Sequence, residues 1–355
     1  MDTLHIQLYS HEEYKKDEAT SVIFEIVNPT DKPIRILKWN TPLEGLRSDC
    51  LDVKRNGKPV PYDGIMVKRA APTEDDFLTI LPGKSVTSKV DLGVAYDMSS
   101  PGHVKVDYKK DGLRVVADDT KANKAASNSV AIAAFLSLKP FREVKVVTKK
   151  ADFRISGGSK KKLPLGAQVR VSQPANQKTT PSKKANAVVT GPYPCLLTGG
   201  TAAQQHIVQT AHENGYKLVV NVLNTMVENK QYKTWFGVYT KPHFNKVKTN
   251  FQKIKSEYET KQFTYDLGGT TRDCQGSTYA YTTRGGNKIW LCSVFWQAPH
   301  TGADSQAGTI VHERSHASAF TDDLAYGEND CKALAKSSPA KAIDNADSHE
   351  FYAKG

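Results

Sequence analysis

The sequence predicts a multi-domain protein, an all-β immunoglobulin-like sandwich followed by an α+β domain. Three observations carry this. Short β-rich runs separated by turn clusters fill residues 1–135. A stretch rich in Gly, Pro, Ser and Lys follows over 136–185. Residues 186–355 then combine long helical periodicity with short strands. At 355 residues the chain is long enough to bury two separate cores.

In the first region the runs are "LHIQLY", "SVIFEIV", "IRILKW", "FLTIL", "SVTSKV", "HVKVDY" and "SVAIAAF". The clusters "NPTDKP", "RNGKP", "LPGKS" and "SSPGH" separate them. Strands at this spacing suit an antiparallel sandwich. The region holds no HExxH motif, catalytic triad or glycine loop, so binding, folding assistance or inhibition is the expected role.

Residues 136–185 read as an exposed basic linker containing "GGSKKKLPLG" and "SQPANQKTTPSKK", with strands expected at "EVKVV" and "AQVRV". They carry 13 Lys+Arg against 2 Asp+Glu, whereas 1–135 carries 19 against 20 and 186–355 carries 17 against 15. The net charge of +12 is therefore local. The basic stretch lacks interleaved aromatics on which bases could stack, so nucleic acid is not an expected partner.

In 186–355, "TAAQQHIVQTAHENGYKLVVNVLNTMVEN" and "HFNKVKTNFQKIKSEYETKQ" show helical periodicity. "FTYDL", "STYAYTT" and "KIWLCSVFW" read as strands, and "SQAGTIVHERSHASAF" and "LAYGENDCKALAKS" return to helix. No run of 18 apolar residues is present, so no membrane helix is expected. The first twenty residues carry no apolar h-region.

The chemistry concentrates in "GTIVHERSH". Residues four apart share a helix face, so His312 and His316 can each offer a nitrogen to one zinc ion at about 2.1 Å. Glu313, turned away from His312, can act as the base toward an attacking water. Helices, a small sheet and then an HExxH helix is the order of a zincin protease domain. The spacing alone leaves the third ligand open. Asp322 stands at the metzincin distance, but Ala319 occupies the metzincin glycine position. Glu328, Glu350 and Asp323 are the other candidates.

"GTIVHERSH" followed by "TDDLAYG" resembles the aspzincins, the deuterolysin family. "YKTWFGVY", "IWLCSVFWQAPHTGADSQAGTIVHERSH" and "KAIDNADSHEFY" extend the resemblance to the peptidyl-lysine metalloendopeptidase branch, over about residues 190–355. The resemblance implies one zinc ion (Zn2+) per chain held by His312, His316 and Asp323. It implies Glu313 as general base and Tyr326 as hydrogen-bond donor to the oxyanion. It implies Asp347 and Glu350 as the pair that holds a lysine at P1′, the residue after the cut. A lysine ammonium losing its hydration needs such carboxylates. His349, between them, is expected to be structural. Phe320 replaces the family glycine before Thr321, and the loop to Asp323 is short; the D-x-x-Y-G register favours Asp323 over Asp322.

Of the five cysteines, Cys274 and Cys292 match a family disulfide. The family partner for the cysteine near the domain start is missing, which pairs Cys195 with Cys331 by inference. The expected protein is thus a secreted, monomeric proenzyme, its export signal outside this sequence. Residues 1 to about 184 form an inhibitory propeptide. An enzyme that cuts before lysine would meet Lys160, Lys161, Lys162, Lys178, Lys183 and Lys184 in its own tether, and autocleavage near "TTPSKKANAVV" is expected. The competing reading is a catalytically latent binding protein with a β-sandwich and a basic tail. Intact Glu313, Tyr326 and ligand residues argue against it.

Overall fold

The computed structural model describes residues 3–15, 17–110, 112–116, 141–157, 164, 165, 168, 191–268 and 273–355. The chain divides into two compact units. One comprises Met1–Gly64 and Pro72–Leu165; the other comprises Ile65–Ala71 and Gly166–Gly355.

The first unit is built of two sheets. The larger has seven strands in the order Phe77–Ile80, Ile34–Leu37, Gly112–Val116, Phe141–Lys149, Thr3–Tyr9, Ser21–Val27, Ser85–Asp91. The smaller has five, in the order Glu13–Tyr14, Ala151–Ile155, Gly102–Tyr108, Leu51–Arg55, Lys58–Pro59. Alternation makes the core: Leu4, Ile6 and Leu8 point inward on Thr3–Tyr9, and Val22, Phe24 and Ile26 on Ser21–Val27. The antiparallel register sets Ile6 opposite Ile26 and Leu8 opposite Phe24, so both inward rows share one face. Thr3–Tyr9 also pairs in parallel with Phe141–Lys149.

Residues 141–155 therefore depart from the linker expected over 136–185. "EVKVV" is a strand, but one inside the larger sheet, and Ala151–Ile155 completes the smaller one. Their charges misled the reading because they sit on outward positions. Ala151, Phe153 and Ile155 are buried while Asp152 and Arg154 between them are exposed. "SVAIAAF", the tether lysines named above and, save Gln168, "AQVRV" lie outside the described residues.

The second unit carries a five-stranded sheet in the order Leu196–Thr198, Thr264–Asp266, Lys288–Leu291, Thr278–Thr283, Ile65–Arg69. The first three are parallel and the last two join antiparallel. The strand Ile65–Arg69 comes from far earlier in the chain and was not anticipated. The helix Ala202–Thr225 opens on a capping box, in which Thr201 and Gln204 satisfy each other's backbone N–H groups. Its buried stripe of Val208, Ala211, Val219 and Val222 meets Phe251 and Ile254 of the helix Lys241–Thr260 in the core. Gly215 allows the close approach of the helix Gln306–Arg314: a Cβ there would stand 2.5 Å from the Tyr258 hydroxyl and 3.3 Å from the Ala307 carbonyl oxygen. The helices Gly327–Ser337, Pro339–Ala342 and Ala346–Ala353 follow.

Cys274 and Cys292 form a disulfide. The inferred Cys195–Cys331 bridge is absent, and both thiols are free. Cys331 is buried in its helix, its sulfur 3.6 Å from the Ala325 carbonyl and 3.4 Å from the Asn345 amide. Cys195 sits beside the outer strand Leu196–Thr198. An even count of cysteines carries no information about their proximity.

Candidate active site

The helix Gln306–Arg314 starts at Ser305, whose hydroxyl caps Gly308 N–H at 3.0 Å. Every residue in it is buried, so its polar side chains must find partners inside the protein. Arg314 does so without a carboxylate, its guanidinium 3.7 Å from the centres of both the Tyr258 and Phe263 rings. The expected single helix widens into a π-helical segment, Ser315–Ala319, that carries His316 and ends at Phe320 in the left-handed conformation.

His312 Nε2 and His316 Nε2 stand 3.1 Å apart, and each is 3.2 Å from Asp323 Oδ1. All three side chains are buried. Tetrahedral ligands at about 2.1 Å from zinc lie about 3.4 Å from one another, so this triangle fits the ion. Asp323 Oδ1 has no hydrogen-bond partner, the mark of an oxygen reserved for a cation. The far side of each ring is fixed as well. His316 Nδ1 lies 2.8 Å from the Thr321 carbonyl, and His312 Nδ1 lies 2.7 Å from Asp347 Oδ1. The Thr321 carbonyl places the His316 proton on Nδ1 and leaves that ring's Nε2 lone pair facing inward, while the Asp347 carboxylate sets a negative charge against the far side of the His312 ring.

Of the other ligand candidates, Asp322 is paired with Arg284, and Glu328 with Lys332 and Lys354. Neither joins the triangle. Glu350 lies in a neighbouring cluster with His312 and Asp347.

The strand Ile65–Arg69 passes directly through this site. Val67 N–H donates to Asp323 Oδ2 at 3.0 Å. The Val67 carbonyl accepts from the Tyr326 hydroxyl at 2.9 Å. Lys68 N–H donates to Glu313 Oε1 at 3.2 Å. Burial pushes the Glu313 carboxyl up to about 8, against the lowering pull of His312 and Lys68. Its second oxygen, Oε2, is buried and unpartnered.

The Lys68 side chain is wholly buried. Its ammonium lies 2.6 Å from Glu350 Oε2, 3.0 Å from Asp304 Oδ1 and 3.2 Å from Asp347 Oδ1. Burial works against the charged form, but Asp347, Glu350 and Asp304 outweigh it and hold Lys68 protonated. The structure thus brings Asp347 and Glu350 onto a lysine. His349 stays out of the site: Nδ1 faces the Asn345 carbonyl at 2.9 Å and Nε2 the Asn250 amide at 3.1 Å.

The sequence reading missed Val67, Lys68 and Asp304. The first two left one signal, a lysine inside the apolar β-run "GIMVKRA". All five residues of that strand are buried.

Comparison with known proteins identifies relatives of this chain. The aspzincin family profile, described as lysine-specific metallo-endopeptidase, matches residues 223–354. An extracellular protease of Aeromonas hydrophila is 34% identical over 336 residues, 93% of this chain and 86% of its own. A peptidyl-Lys metalloendopeptidase of Pleurotus ostreatus is 35% identical over 168 residues, covering 44% of this chain and 95% of its own. Among solved structures, a zinc peptidase from Grifola frondosa shares 32% identity over 44% of this chain and 96% of its own, with a TM-score of 0.40.

Proposed function

We propose that this chain, which belongs to the aspzincin family and is a zinc metalloendopeptidase, cuts peptide bonds on the amino side of lysine and is held latent by its own N-terminal region. One observation carries the reading. Val67 and Lys68 lie in the site as the two residues flanking a scissile bond would, with the lysine in an acidic pocket.

His312, His316 and Asp323 would hold zinc, which when bound supplies Lewis acidity toward the scissile carbonyl. The protein's own groups supply the rest. The Tyr326 hydroxyl donates to the carbonyl oxygen, where negative charge develops. Glu313 faces the leaving nitrogen and can accept a proton from water and deliver it there. A substrate strand adds antiparallel to Thr278–Thr283, as Ile65–Arg69 does. Asp347 and Glu350 receive the P1′ lysine.

Residues 1 to about 184, with the first unit as an immunoglobulin-like sandwich, form the propeptide, and its strand Ile65–Arg69 is the intramolecular inhibitor. Removal by autocleavage in the lysine-rich tether activates the enzyme, and a secreted monomer is the working form. One relative, named an extracellular protease, supports that location.

The test is a digest of a denatured protein, with peptides read by mass spectrometry beside a Glu313→Ala control. Peptides beginning with lysine, absent from the control, are expected. Cleavage only after nicking around 178–190 marks latency. Zinc binding without cleavage in either form sinks the reading in favour of a binding protein. N-terminal sequencing of active enzyme checks the activation site; a terminus remote from every tether lysine rules out autocleavage.

A further inference from the structure

The geometry assigns Asp304 as a third carboxylate of the lysine pocket, the one that selects lysine over arginine. The inference rests on the reading of a P1′ lysine and adds a determinant to it.

An ammonium has three N–H donors directed tetrahedrally, and a guanidinium has five in one plane. Three separate carboxylates surround the Lys68 nitrogen: Asp304 and Asp347 accept hydrogen bonds from it at 3.0 and 3.2 Å, and Glu350 makes an ion pair with it at 2.6 Å. Two rings close the remaining sides, Tyr279 at 5.3 Å and Phe351 at 5.7 Å from the nitrogen. The two buried carboxylates are held in place. A Cβ at Gly308 would stand 2.5 Å from Glu350 Oε1, so the Glu350 carboxylate is packed against the helix backbone. Asp347 is pinned too: Oδ2 accepts from Gly327 N–H at 2.7 Å while Oδ1 faces His312.

Asp304 differs from the other two. Its side chain is 38% exposed, whereas those of Asp347 and Glu350 are fully buried. It carries no metal ligand and no backbone cap in this arrangement. Its φ of +48° lies in the left-handed region that Asp and Asn tolerate better than most residues. The residue thus sits at the rim of the pocket, directly before the Ser305 cap, and its carboxylate accepts from the Lys68 ammonium. Asparagine keeps the shape and the backbone preference but removes the charge.

The experiment compares wild type and Asp304→Asn, each as the full chain activated by limited proteolysis. Matched peptides differ only at P1′: lysine, arginine or methionine. Exposure screens the Asp304 charge, so the expected loss is about tenfold in kcat/KM before lysine, carried by KM. The lysine-to-arginine and lysine-to-methionine ratios are expected to fall with it, and the loss to shrink at high salt. Equal losses on all three peptides would make Asp304 a structural residue and overturn the inference. So would unchanged ratios. Wild type that fails to cut before lysine defeats the lysine reading itself, and this inference with it.

Discussion

Asp347 faces a histidine ring and an ammonium at once. Its Oδ1 lies 2.7 Å from the ring nitrogen of His312 and 3.2 Å from the Lys68 ammonium. Groups that orient a metal-binding histidine raise metal affinity by about 10- to 100-fold. Asp347→Asn is therefore expected to weaken zinc binding by that factor in a chelator competition, as well as to impair lysine recognition. An affinity equal to wild type would separate pocket from metal. His349 yields a pH effect with a definite sign. Burial lowers its pKa to about 4, and its Nε2 lone pair already accepts from Asn250. The unfolded chain binds the proton more readily, near pH 6.5, so the contribution is complete above 6.5 and lost as pH falls toward 4. It amounts to roughly 3 kcal/mol. Urea unfolding at pH 7 and 4.5 should show a smaller pH difference in His349→Gln than in wild type. The motif residues were legible because i, i+4 spacing is a local property of a helix. Val67 and Lys68 were not, because nothing local tells a lysine in a β-run that its partners lie some 236 to 282 positions away.

At the scale of elements, three of the five strands in the sheet of the α+β unit and most of its helices fall where periodicity put them, whereas Leu196–Thr198 and Ile65–Arg69 were not anticipated. "FTYDL", "STYAYTT" and "KIWLCSVFW" contain Thr264–Asp266, Thr278–Thr283 and Lys288–Leu291. The break at Ser315–Ala319 was invisible, since spacing cannot report an added residue in a helical turn. That break leaves Phe320 at φ +61° and 58% exposed. A bulky residue in this region is strained by about 1 kcal/mol, and the family glycine replaced here would relieve it. Phe320→Gly is expected to raise stability by up to about that amount, less what the freer unfolded chain takes back. Chemical denaturation measures it; a loss above 1 kcal/mol would show that the ring packs against something essential. The linker boundary failed for a different reason. Composition averages over both faces of a strand, and in Ala151–Ile155 only one face is apolar.

For the molecule as a whole, the strand Ile65–Arg69 belongs by sequence to the first region and by contacts to the second unit. Lys68→Met keeps an apolar side chain of similar length but offers no ammonium to Asp304, Asp347 and Glu350. The unprocessed chain is then expected to gain activity against an added lysyl peptide, at least several-fold above wild type, because leaving three acids without a cation weakens the strand's hold. If the variant folds, as circular dichroism would report, yet stays as silent as wild type, the block lies elsewhere.

A strand tethered to the cleft it fills behaves as a ligand at a fixed local concentration, commonly millimolar for a short flexible connection. Dilution cannot lower that value, and an outside peptide must outbid it. Once the chain is cut, the same strand becomes an ordinary solute whose occupancy falls with volume. Latency on this reading is independent of how much protein a cell exports. Relief after cutting depends on spreading into the surroundings, so the covalent bond acts as a timer that starts only at release.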